Sequence, residues 1–167
     1  MKHSDGSCEI RQMHQDDLDR IIELSLLAWE PVFISFKKVL GSAIYKQIWP
    51  DWRTGQAKVV TDICLDTDTY TTYVADVDGV AVGFACVELN AETRTGEMSL
   101  LAVHPDHQNR GIGTDLNRFA VERMRDAGMT LAVVATGGDP GHAPARRAYE
   151  KAGFRPMPQV RYYQDLM

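Results

Sequence analysis

Residues 104–116 read HPDHQNRGIGTDL, a glycine-containing turn wedged between the apolar run GEMSLLAV (96–103) and an amphipathic stretch at 114–127. A strand that gives way to a helix through such a turn commits the chain to an α/β unit. The glycines let the backbone curl until several N–H groups converge on one point. The helix start adds unpaired donors and a partial positive charge, and Arg110 adds a guanidinium. Together these features describe a cradle for a pyrophosphate.

Two common phosphate-binding patterns fail on residues. GxxxxGK[ST] needs a lysine and a spacing that are absent. GxGxxG is met by Gly111 and Gly113, but its third position is Leu116, and the acidic residue expected about 20 positions later is missing.

The rest of the chain supplies one mixed α/β domain over residues 1–167. A strand at 8–13 is followed by a helix capped by Asp16 or Asp17, with Leu18, Ile21, Ile22, Ser25 and Trp29 at helical spacing and Pro31 interrupting it. A second helix runs over 35–48, the segment 49–55 reads as a loop, and 58–65 continues as helix. The period then changes to two. Asp78-Gly79 joins two β-rich runs as a hairpin, and 96–103 is a further strand. A helix at 114–127 buries Leu116, Phe119, Ala120, Met124 and Ala127 and stops at Gly128. A strand at 129–136, the loop GGDPGH, a short helix APARRAYEKA and a final edge strand or hairpin complete the order.

The net charge of −5 argues against nucleic acid as the main partner. Three cysteines, Cys8, Cys64 and Cys86, give an odd count without CxxC, which fits a reducing cytoplasm rather than a disulfide framework. The N-terminal stretch is polar, without an apolar signal core. The apolar run at 80–87 is too short to span a bilayer. The expectation is a cytoplasmic protein with no membrane association.

QNRGIG matches a third pattern, [RQ]-x-x-G-x-[GA], and at this point the chain resembles the GNAT N-acetyltransferase superfamily. HAPARRAYEKAGF resembles that family's second signature, and the likeness covers residues 70–155. The resemblance implies a mostly antiparallel sheet, splayed between its two middle strands and flanked by helices. It implies acetyl-CoA as co-substrate, no metal, and transfer of the acetyl group to a primary amine of a small molecule or peptide by direct attack in a ternary complex.

Residue by residue, it places the pyrophosphate on backbone amides of Gln108, Asn109, Arg110, Gly111, Ile112, Gly113 and Thr114. The pantetheine arm falls along Leu101, Ala102 and Val103. Glu97, eleven positions before Gln108, takes the place of a general-base glutamate. Tyr149 takes that of a tyrosine that protonates the departing thiolate. His142 stands where the family often has an asparagine that contacts the cofactor or fixes the loop, so His142 and Tyr149 join the cofactor-binding candidates. In regular pleating Glu97 shares a face with Ser99, Leu101 and Val103. The first two helices line the acceptor side, so Trp29, Glu30 and Phe33 are the substrate-binding candidates. His104 and His107 form HxxH across a turn with no third ligand in view. Homodimers are common among such families, and the sequence leaves that point open. The rival reading is a non-catalytic acyl-CoA-binding sensor, which needs neither Glu97 nor Tyr149.

Overall fold

The change of hydrophobic period near residue 70 separates a helical first part from a sheet built mainly by the later residues. The computed structural model describes residues 8–167, so most of the polar N-terminal stretch lies outside the described residues. The order is β1 (Cys8–Gln12), α1 (Leu18–Ile48), α2 (Trp52–Leu65), β2 (Tyr70–Val77), β3 (Val80–Asn90), β4 (Thr95–Val103), α3 (Ile112–Asp126), β5 (Leu131–Val134) and α4 (Ala143–Lys151). The sheet runs β1-β2-β3-β4-β5. Its first four strands are antiparallel neighbours, and β4 pairs with β5 in parallel.

Short polar contacts fix the start of α1. Asp17 accepts the His14 N–H at 2.7 Å. It also accepts two bonds from Arg11, at 2.8 and 2.9 Å. Arg11 reaches on to Asp76 of β2 at 2.8 Å, which ties the helix start to two strands. Hydrogen bonding to Arg11 outweighs the opposing effect of burial and holds the Asp17 carboxyl below its ordinary range.

Pro31 does not interrupt the helix as expected, for α1 continues through it. The break comes at Gly41, whose φ of 76° and ψ of 164° lie outside helical space. Positive φ with an extended ψ is a conformation open essentially to glycine alone. The loop expected at 49–55 shrinks to three residues. Asp51 caps the Thr54 N–H at 3.3 Å and starts α2 at Trp52.

Asp78 and Gly79 both take positive φ, 54° and 81°, as a two-residue hairpin of the primed type requires. β3 is buried along most of its length because helices cover both faces. On one face α3 seals a core with Leu116, Ala120 and Met124 against Val82, Val87 and Met98. On the other, α1 and α2 pack Ile21, Leu24 and Val60 against Val74 and Phe84. Each such buried side chain contributes about 1.5–3 kcal/mol of hydrophobic stabilisation. The stripe of α3 differs from expectation at three places: Asn117 is fully buried, Phe119 only partly so, and Ala127 exposed. The last predicted strand does not form, since residues 154–167 contain no regular element. β5 spans four residues rather than 129–136, so its outer edge is open. Among the described residues no helix is long and apolar enough to cross a membrane.

Candidate active site

The sheet opens where β4 passes β5. Their pairing covers Thr95↔Leu131 to Met98↔Val134 and stops there, while β4 runs on to Val103. One cause is a bulge. Opposite Cys86 and Val87 of β3 stand Leu100 and Met98, which leaves Ser99 as an extra residue on β4. Past this point β4 has a free edge, and a cleft of about 540 Å³ opens between Ser99–Val103 on one side and Ala135 and Thr136 on the other.

The turn after β4 closes one end of the cleft. Pro105–His107 forms a 3-10 turn, and the Gln108 side chain donates to the Val103 carbonyl at 3.0 Å. Asn109 and Gly111 both adopt positive φ, 60° and 89°, so the amides curl before α3 begins at Ile112. Gln108, Asn109, Gly111, Gly113 and Thr114 line the cleft, as do Leu101, Ala102 and Val103. Arg110 is exposed and Ile112 is turned into the core, so neither side chain belongs to the lining.

Tyr149 lies on the far wall with Ala145 and Ala148, its ring 6.0 Å from that of Phe154. Burial pushes its phenol up to about 12. His142 and Gly141 occupy the mouth. Asp139 accepts from His142 Nδ1 at 2.5 Å and from the Gly141 N–H at 2.9 Å, and Ser35 Oγ of α1 also accepts the Gly141 N–H at 3.0 Å. Arg146 clamps the carbonyls of Gly137 and Asp139 at 2.6 and 2.8 Å. Burial would raise the Asp139 carboxyl, but bonds from Ser35, His142 and Gly141 outweigh it and hold it low. The loop can close this tightly because position 137 has no side chain. A Cβ there would collide with His142 Nδ1 and stand 2.5 Å from Asp139 Oδ1. Sequence reading found His142 but missed Asp139 and Ser35, which lie two and 106 residues from the group they share, Gly141.

Of the three residues expected on the acceptor side, one lines the cleft. Trp29 lines the cleft with Leu27, Ala28, Pro31 and Val32. Pro31 has no N–H, so the Leu27 carbonyl beside it has no i+4 donor. Glu30 is half-exposed and paired with Arg53. Phe33 stacks on Trp52 at 4.3 Å and Phe36 on Trp49 at 4.6 Å, so these rings pack on one another rather than along the cleft. The bulge also moves Glu97. Met98, Leu101 and Val103 join the α3 face, and Leu100 and Ala102 the α1–α2 face, so Glu97 shares the latter and not the face of Leu101. It is exposed, opposite Glu88, and outside the cleft lining. His104 Nδ1 accepts the Asp106 N–H at 3.2 Å, a local cap.

Comparison with known proteins bears on this architecture. The Acetyltransferase (GNAT) family profile matches residues 27–154. Mycothiol acetyltransferase of Streptomyces coelicolor is 32% identical over 95 residues, 57% of this chain and 28% of that protein. Streptothricin acetyltransferase of Streptomyces lavendulae is 33% identical over 92 residues, 53% of this chain and 46% of that protein. The chain thus spans less than half the length of these curated relatives. The aminoglycoside N-acetyltransferase AAC(6')-Iy in complex with CoA superimposes with a TM-score of 0.65 at 19% identity, covering 100% of both chains. The ribosomal-protein-S18-alanine N-acetyltransferase of Escherichia coli gives 0.68 at 16%, covering 96% of this chain and 86% of that one. At these identities the structures speak for the fold. With the splayed sheet, the curled turn and a family match over most of the chain together, the chain belongs to the GNAT acetyltransferase family.

Proposed function

We propose that this protein transfers the acetyl group of acetyl-CoA to a primary amine by direct attack within a ternary complex. The observation that carries the reading is the free edge of β4 beyond Met98, which ends in a turn of convergent amides. An extended amide-containing arm fits against such an edge as a strand would. A pyrophosphate fits the amides and dipole at the start of α3. Gln108–Thr114 and Leu101–Val103 are the residues that would hold the cofactor, which supplies an activated thioester. The amine would enter from the side of Trp29, a small molecule or a peptide end.

Direct attack suits the lining, for among the described residues the cleft contains no cysteine: Cys64 and Cys86 are buried in the core and Cys8 is exposed on β1. Tyr149 supports the leaving group. A phenol near 12 gives its proton to a thiolate of ordinary basicity against roughly 5 kcal/mol. Its contribution is therefore a hydrogen bond to the departing sulfur. Glu97 is the carboxylate that the family resemblance offers as base, and Glu97→Gln tests it. Loss of the acidic limb of kcat with unchanged cofactor affinity assigns the role; full turnover at every pH removes it.

The first test is thermal unfolding with acetyl-CoA, and separately with NAD and ATP. A ligand at about 100 times its Kd stabilises the native state by about 2.7 kcal/mol, a rise of roughly 5 to 10 °C at this size. A rise with acetyl-CoA alone, followed by thiol release with an amine panel, is the expected result. Binding without turnover on any amine would favour the sensor reading instead. No rise with acetyl-CoA would overturn both.

A further inference from the structure

Acetyl transfer to an amine needs one group to take a proton from the amine and one to steady the departing sulfur. Among the described residues lining the cleft only two carry titratable side chains, His142 and Tyr149; no carboxylate lines it. Their surroundings differ. Tyr149 sits among alanines, where burial keeps its phenol protonated and so a donor. His142 sits at the mouth with a carboxylate at its back. A buried phenol and an imidazole backed by a carboxylate can divide the donor and acceptor roles between them.

Resting on that reading of the function, we propose that His142 is the proton acceptor for the incoming amine and that Asp139 and Ser35 are its positioning residues. The Asp139 carboxylate accepts the Nδ1 proton, which fixes the neutral tautomer with its lone pair on Nε2. Ser35, fixed on α1 and buried, holds the same loop through the Gly141 N–H. The groups packed against His142 are few. Its own loop brings Asp139 and the Gly137 backbone, α1 brings the Phe36 ring at 5.5 Å, and the nearby Arg146 of α4 is spent on two carbonyls. Among the described residues Asp139 is thus the one anion in contact with the imidazole.

The step balances. An ammonium gives one proton to Nε2 and becomes a free amine. A nitrogen–carbon bond forms to the acetyl group and the carbon–sulfur bond breaks. The second amine proton ends on the sulfur, and the proton held by His142 passes to water.

The test uses the whole chain. His142→Asn keeps a hydrogen-bonding side chain but removes the base, and His142→Gln is a second variant should the first fold poorly. Either lowers kcat by about 10² to 10⁴ and erases the acidic limb of the pH profile, while acetyl-CoA affinity by calorimetry stays near that of the parent. Asp139→Asn lowers kcat less and shifts that limb. A readout independent of turnover is the ¹⁵N tautomer pattern of His142. It shows the proton on Nδ1 in the parent, and Asp139→Asn disturbs it. Wild-type turnover and an unchanged acidic limb in both His142 variants would overturn the assignment, as would an acidic limb lost in Glu97→Gln alone. An Nε2-protonated parent would also overturn it. A parent that binds acetyl-CoA but acetylates no amine fails the functional reading itself, which is a distinguishable result.

Discussion

At the scale of the residue, Tyr149 shows how environment selects among chemistries open to one side chain. A phenol pushed up to about 12 keeps its proton across the working range. On its proposed role, Tyr149→Phe deletes a hydrogen bond to a charged atom, worth about 1.5–3 kcal/mol, so kcat falls roughly 10- to 100-fold. Acetyl-CoA affinity stays close to the parent, and the parent shows no alkaline limb from this group below about pH 12. Steady-state kinetics against pH check both. Pro31 offers a second prediction. Pro31→Ala restores the N–H that the helix lacks there and returns the Leu27 carbonyl to the ladder. The variant unfolds at a higher temperature, since proline inside a helix costs about 3 kcal/mol.

The elements are held by charges whose effect depends on pH. Asp17 is bonded by Arg11 and the His14 N–H at the head of α1, and its folded pKa lies below the unfolded one. A depressed carboxylate contributes stability above the unfolded value, near 3.9, and loses it as pH falls through the folded value. Asp17→Asn should therefore cost roughly 2 kcal/mol at neutral pH, about 4 to 8 °C in Tm, and progressively less in acid. Unfolding scans from neutral pH to about pH 2 would show the two curves converge; a constant gap would mean that the loss is steric.

Elements were largely legible in the sequence because their signals are local: the hairpin at Asp78-Gly79, the helix start after Gly111, the caps and the periods. Three features were not. Pro31 in α1 forgoes one helix bond without ending the helix, which a sequence does not display. The bulge at Ser99 shifts every later side chain of β4 to the other face, and nothing in GEMSLLAV marks it. The Ser35–Gly141 contact joins residues 106 apart, beyond the reach of any pattern in the chain. So the part of the cleft lining built from one turn and the strand before it was readable, and the part built from tertiary contact was not.

For the whole molecule, the sheet is incomplete in two places. Between β4 and β5 it is split by the cleft, and beyond β5 it has an open edge followed by residues 154–167 without regular structure. The side chains at this end, among them Met157, Val160, Tyr162 and Leu166, are largely exposed. Deleting residues 157–167 should shift the Tm by less than about 2 °C, since surface positions contribute within about ±0.5 kcal/mol each and few contacts are lost. Differential scanning calorimetry checks this, with light scattering alongside. A larger drop together with a change in mass would show that a second copy pairs with the open edge of β5.

The split in the sheet has a consequence for how long each molecule survives. On the proposed reading acetyl-CoA lies between the parted strands, and its binding would add cohesion there. The fraction of molecules open to a protease then falls by a factor of one plus the ratio of free ligand to Kd. A cell rich in acetyl-CoA would keep its copies of this protein, and a starved one would clear them. Abundance would follow the supply of the molecule to be consumed, without any dedicated regulator.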